Sequence, residues 1–209
     1  MGATCDAYNP VVSTRQDTMA LAHSLQALDL RRSVPSRQLA GPGPDDATLM
    51  QILASAVRVP DHGKLVPFRF LRIQGEARHA LGRFVAARSK ARIPEASEAV
   101  LDKDRQRFSH APLVIAVIAR LDPQHKVPVQ EQLLTAGCVC FALLQAAQAH
   151  GFGAQWLTAW MAYDEHVARH LGLSADERVV GFIHIGTAQT EVPERPRPDP
   201  AALLQDWTP

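Results

Sequence analysis

The sequence predicts an α+β fold, and three observations carry that prediction. About four extended runs lie among helices without strict alternation of strand and helix, which favours α+β over a doubly wound parallel sheet. Leu113 to Ala119 is an unbroken apolar run rich in Val and Ile, the pattern of a buried strand. Val127 to His150 is long, rich in Ala, Leu and Gln, and apolar nearly all round. A helix of that kind must be covered on most sides, in a core or at a subunit interface.

Taken in order, residues 1–18 are mixed and aperiodic and read as a poorly ordered extension, with a single domain over 19–209. Met19 to Leu30 carries Leu21, Leu25 and Leu28 at helical spacing and ends in the basic pair Arg31-Arg32, which suits the negative end of a helix dipole. Pro35 and Gly41-Pro42-Gly43-Pro44 make a loop. Asp45-Asp46 can cap a helix over 46–57, with Leu49, Ile52, Leu53, Ala56 and Val57 on one side. Residues 61–67 read as a loop and Phe68 to Ile73 as a strand. Residues 76–89 look helical, and 95–108 form a charged helix or lid. Gly151 and Gly153 end the long helix; Gln155 to Thr158 is a short extended piece. A short helix over 164–172 and a strand from Arg178 to Gly186 follow, then a proline-rich, extended tail over 193–200.

Composition narrows the class. The chain has 209 residues, 46% hydrophobic and 21% charged, ordinary for a globular protein, and can bury roughly 70% of its unfolded surface. Lys and Arg number 22 against 21 Asp and Glu, so no basic excess favours nucleic acid or an anionic membrane. The cysteines are Cys5, Cys138 and Cys140, without Cys-x-x-Cys, which points to neither a disulfide framework nor a zinc site. A reducing compartment, the cytoplasm, is the simpler expectation. No signal-like h-region or uninterrupted transmembrane run is read.

Several groups could carry chemistry. Arg31-Arg32-Ser33 offers two guanidiniums and a hydroxyl that can hold a phosphate, or it is a solvated basic helix end. Arg58 and His62 flank Pro60-Asp61 and could meet the edge of an aromatic ligand, or serve as cap and loop. His166 and His170 stand four apart on a helix, yet no further ligand is in phase, so a plain surface helix is expected and no metal. Cys138 and Cys140 point to different helix faces and are expected to be buried, unreactive thiols. Gly151-Phe-Gly153 is too short for a dinucleotide loop.

In combination these pieces resemble the nitroreductase family of FMN-dependent oxidoreductases, and within it a small, compact branch. The residues that carry the resemblance are Arg31-Arg32-Ser33, Arg58-Val-Pro-Asp-His62 with Pro67-Phe68, His125-Lys-Val-Pro128 with Glu131-Gln132 and Ala136-Gly137-Cys138, Gly151-Phe-Gly153 with Trp156, and Val180-Gly-Phe182 with Gly186-Thr187. They run in order over residues 24–190. The resemblance implies a mostly antiparallel sheet flanked by helices, with the long helix at the interface of a homodimer that binds FMN there. It implies that Arg31, Arg32 and Ser33 hold the phosphate, ribityl chain and pyrimidine edge. Arg58 and His62 would reach the flavin from the neighbouring subunit, and Trp156, Leu157 and Thr158 would line it. It further implies a ping-pong cycle: NAD(P)H binds transiently and reduces the flavin, then a small electron-poor acceptor such as a nitroaromatic or quinone takes its place. No side chain need act as acid or base, so no catalytic residue is named. Enoate reduction, dehydrogenation or dehalogenation on the same scaffold, and flavin binding without turnover, are the alternatives. The chain departs from the pattern at Val66-Pro67-Phe68, where the family often has Gln-Pro-Trp, and at Leu157, where the close branch has arginine. Many members carry a cation for the phosphate in the C-terminal segment; Arg195 and Arg197 lie there, among prolines that do not match.

Overall fold

The structure, a computed structural model, describes residues 28–209. The extension expected over 1–18 and nearly all of the helix expected over 19–30 lie outside the described residues. By its internal contacts the chain divides into a unit ending at Arg31 and a second from Arg32 to Pro209, and the fold below is that of the second.

Its centre is β3 (Leu113–Arg120), in which Leu113 through Ala119 are each at most 2% exposed. Alternation sends Leu113, Ile115, Val117 and Ala119 to one face and Val114, Ala116 and Ile118 to the other. Both faces are covered, which is why the run is apolar throughout. The sheet has five strands: β1 (Leu39–Ala40), β2 (Phe68–Gln74), β3, β4 (Gly153–Leu157) and β5 (Glu177–Ala188). β3 pairs with β2 and β5; β5 also pairs with β4 and, near its end, with β1. Every pair is antiparallel, as the resemblance implied.

One face is covered by α1 (Asp46–Ala56) and α4 (Val129–Ala149). Asp45 caps α1 by accepting from the Thr48 N–H at 2.8 Å. α4 lays Ala136, Val139, Cys140, Leu143 and Ala147 on the sheet. Its outward stripe is still apolar, with Leu134 61% and Phe141 44% exposed. By length and hydropathy α4 could cross a membrane, but half of it is buried in this chain. Cys140 is buried, and desolvation pushes its thiol up to about 12. Cys138 is exposed, so the expectation of two buried thiols fails: it lies on the stripe that faces away from the sheet.

The opposite face carries α2 (Glu76–Arg92), α3 (Glu98–Gln106) and α5 (Glu165–His170), with Phe108, Phe182, Met161 and Val167 buried between them and the sheet. α2 and α3 approach closely at Gly82, where a Cβ would lie 2.1 Å from the Arg105 carbonyl oxygen. The proline-rich tail has no helix or strand over 193–199; at its end Asp199 accepts from the Ala201 N–H at 3.0 Å, and with Pro200 it starts a short turn, α6 (Pro200–Leu203). On α5 His170 stacks on Phe84 at 3.7 Å and His166 Nδ1 lies 3.8 Å from the Asp164 carboxylate; no group of three metal-ligating side chains occurs among the described residues.

Candidate functional site

The segment 32–37 is strapped across the end of α4 and the start of β4. The Arg32 N–H donates to Gln148 Oε1 at 3.1 Å, the Val34 N–H to the Ala154 carbonyl at 3.0 Å, and the Ser36 N–H to Gln155 Oε1 at 2.5 Å. These bonds bring Arg32 and Ser33, distant in sequence from β4, beside that strand. The Arg32 guanidinium pairs with Glu194 of the C-terminal segment. Arg31 closes the preceding unit, its N–H donating to the Leu28 carbonyl at 3.2 Å.

Between this strap, β4 and α3 opens a cleft of about 560 Å3, lined by Ser36, Arg37, Lys103, Arg107, His110 and Leu157 among others. Its charge is one-sided. Arg37, Lys103 and His110 make no ion pair among the described residues, while Asp102 on the same wall is taken by Arg105. Arg107 pairs with the buried Asp104 at 3.1 Å, yet its Nε is buried without a partner. Behind the cleft His184 is fully buried opposite Gln155, its ring against Phe108 and neither nitrogen hydrogen-bonded. Desolvation, helped by the charges of Arg107 and His110, pushes His184 down to about 3, so the ring is neutral.

β4 sends its neighbours to opposite sides. Leu157 faces the cleft, and Trp156 lines a second, apolar cavity of about 550 Å3 with Leu134, Gly137 and Tyr163. The seat for Trp156 is a β-bulge: β3 pairs Val117 with Gly181 and Ile118 with Val179, leaving Val180 as the extra residue. The Val180 carbonyl accepts the indole N–H at 3.3 Å, and the ring lies on Gly181, where a Cβ would come within 1.9 Å of Nε1. Thr158 follows, partly buried, before Ala159 turns the chain with a φ of 53°.

Arg58 and His62 sit elsewhere. Both are exposed. His62 Nδ1 meets Glu131 of the first turn of α4 at 2.7 Å, and the Thr135 hydroxyl donates to the Pro60 carbonyl at 3.2 Å. The loop is closed by Asp61, whose oxygens accept from the N–H groups of Leu65 at 3.2 Å and Val66 at 2.8 Å. That forces Val66 to a φ of 50°, rare for a β-branched residue. Glu131 and Gln148 are about 25 Å apart at 1.5 Å rise per residue, so the His62 and Arg32 contacts mark opposite ends of α4. The structure thus gathers Arg32, Ser33, Leu157 and Thr158 near β4, turns Trp156 the other way, and leaves Arg58 and His62 at the far end.

Sequence reasoning missed Arg37, Lys103, Arg107, His110, Gln148, Gln155 and Glu194. One signal was available: Lys103 and Arg107 stand four apart, on one face of a helix, with His110 just beyond.

Residues 28–187 match the model of the nitroreductase family, and the chain belongs to that family, a family of oxidoreductases. YdjA of Escherichia coli (strain K12), provisionally named an NAD(P)H nitroreductase, is 36% identical over 167 residues, covering 79% of this chain and 88% of YdjA. A nitroreductase-like family protein of Bacillus cereus shares the fold with a TM-score of 0.74 at 21% identity, over 88% of this chain and 95% of the other. A nitroreductase-type protein from Desulfovibrio desulfuricans, solved in complex with FMN, has a TM-score of 0.69 at 22% identity, over 89% of this chain and 98% of the other.

Proposed function

We propose that the protein is an FMN-dependent oxidoreductase that takes electrons from NAD(P)H and passes them, by a ping-pong cycle, to small electron-poor acceptors such as nitroaromatics or quinones. The observation that carries this reading is the cleft beside β4, where Arg37 and Lys103 make no ion pair among the described residues, His110 stands beside them, and the buried Arg107 Nε has no hydrogen-bond partner. A bound group with a phosphate and an electron-rich pyrimidine edge fits that donor set. The FMN complex of the Desulfovibrio relative and the name of YdjA support the choice of flavin and donor.

Bound FMN would supply the redox chemistry, accepting two electrons from nicotinamide and releasing them to the acceptor. The chain's residues would bind and tune it. Arg31, Arg32 and Ser33 hold the phosphate and ribityl side. Arg37 and Lys103 place positive charge at the pyrimidine edge, where negative charge grows on reduction. Leu157, the last residue of β4, and Thr158 after it line the ring, and neutral His184 leaves the core behind the cleft uncharged. No acid or base is assigned.

We further propose a homodimer. Arg58 and His62 lie at the opposite end of α4 from Arg32, so a second chain is the simple source of those residues at one flavin. The apolar outward stripe of α4, with Leu134 and Phe141, and the exposed Trp156 edge supply a surface for it. Cys138 and Cys140 are free thiols, in keeping with a cytoplasmic location. The test is one absorbance spectrum of the purified protein before and after NADPH. A flavin spectrum that bleaches on NADPH addition is expected; a protein that neither carries nor binds FMN would overturn the reading. A spectrum that does not bleach would leave a flavin-binding protein without turnover.

A further inference from the structure

The C-terminal segment brings a carboxylate to the guanidinium that the proposed function assigns to the cofactor. Glu194 pairs with Arg32 and also with Arg197, at 3.0 Å to Nε and 2.9 Å to Nη2, and accepts the Arg195 N–H at 2.9 Å. That backbone N–H, then Arg197 and Arg32, hold its carboxyl below the usual carboxylate range, so it is charged at neutral pH. The segment is held beside Arg32 by a separate contact: Val192 packs on Val34, Leu39 and Ala111. Glu194 can therefore let go of Arg32 without the segment leaving, because Val192 still holds the segment and Glu194 keeps its own bonds to Arg197 and the Arg195 N–H.

We propose that Glu194 is a built-in competitor for the anionic group of the cofactor: its carboxylate holds Arg32 until that group takes its place, and it then stays on Arg197. This rests on the placement of Arg32 at the flavin given above. Two features make the exchange easy. The pair is exposed to water, with Glu194 49% and Arg32 23% exposed, and such pairs hold weakly. An incoming phosphate carries more charge than a carboxylate and offers more acceptor oxygens to one guanidinium. While it lasts, the pair keeps Arg32 oriented and lowers the affinity for flavin.

Titration of the full chain, freed of bound flavin, tests this by flavin fluorescence in wild type, Glu194→Gln, Arg32→Ala and the double variant. Glu194→Gln should lower the Kd for FMN by about twofold to fivefold, the size expected for losing one exposed ion pair. In the Arg32→Ala background the same change should do nothing. An unchanged or raised Kd in Glu194→Gln overturns the proposal, and so does an equal gain without Arg32. Arg32→Ala that binds FMN like wild type overturns instead the placement of Arg32 at the cofactor. Riboflavin, which lacks the phosphate and whose oxidised ring is uncharged, is the control. A gain for FMN alone is expected and makes the phosphate the group that displaces Glu194; an equal gain for riboflavin overturns competition with an anionic group.

Discussion

At its C-terminal end α4 receives the strap through Gln148, a neutral acceptor that satisfies the Arg32 backbone and leaves the cations of the cleft for something else. At its N-terminal end it receives the loop through Glu131, a charged acceptor that engages the His62 ring itself, while Asp61 uses both oxygens on the loop backbone. The first end is anchored on α4 and β4 by neutral hydrogen bonds and keeps Arg37 and Lys103 without an ion pair among the described residues; the second spends its carboxylates on itself and holds Val66 in a strained conformation. The difference teaches that the two ends are not equivalent halves of one pocket. Arg37 and Lys103 at the Arg32 end are open to an anion, whereas Arg32 itself and, at the other end, His62 must each exchange a carboxylate partner before touching a ligand.

The largest effect should come from separating the two ends between chains. In a mixed dimer, one subunit carries Arg31→Ala with Arg32→Ala and the other Arg58→Ala with His62→Ala. If each flavin is held by one end from each chain, one site keeps full affinity and the other has lost both sets. Flavin titration would then find half the wild-type sites; two equally damaged sites would break the comparison. Next in size is the acid sensitivity stored behind the cleft. His184 has its pKa pushed down to about 3 from an ordinary 6.5, so the unfolded chain takes up this proton first. Stability is therefore lost as pH falls from about 6.5 toward 3, by about 2–3 kcal/mol at pH ~4.5. Urea unfolding at both pH values should show that loss in wild type and not in His184→Phe. Glu177, held down to about 2 first by its hydrogen bond from Arg69, adds its own loss only at pH below its ordinary 4.5.

A smaller effect tests the unpaired charge. Arg37→Ala with Lys103→Ala should weaken FMN binding at least about tenfold, since a hydrogen bond to a charged group contributes about 1.5–3 kcal/mol. Unchanged affinity would place the anion outside the cleft. The smallest effect tests the strained end. Val66→Gly removes the side chain that disfavours a φ of 50° and should stabilise the fold by about 0.5–1 kcal/mol, net of the entropy glycine loses on folding. A lower melting temperature would mean that Val66 contributes packing that outweighs the strain.

Elements were legible wherever a local pattern sufficed. The helix expected over 46–57 is Asp46–Ala56, capped as its sequence said, and the strand expected at Leu113–Ala119 is extended by one residue. The two-residue β1 was not legible, because so short a strand exists only through its pairing with Thr187 and Ala188. The candidate site was legible in part. Arg31-Arg32-Ser33 and Leu157 stood out by type and by family likeness. Gln148 and Gln155 did not, because a glutamine that anchors a distant backbone looks like any other polar residue on a helix or strand. Trp156 was expected to line the flavin with Leu157 and Thr158; what local pattern did not tell is that strand alternation and the bulge at Val180 seat its ring on the face of the second cavity.

By itself the sequence determined the α+β class, the buried centre at Leu113–Ala119, the long apolar helix and the kinship of the whole, because periodicity, capping and composition act over neighbouring residues. Only the tertiary structure decided that one strap unites Arg32 with β4, that Lys103, Arg107 and Arg37 share a cleft, and that Glu194 rests on Arg32. Those meetings join residues dozens of positions apart. Their energies come from desolvation and charge across packed elements, to which no local pattern in the chain refers.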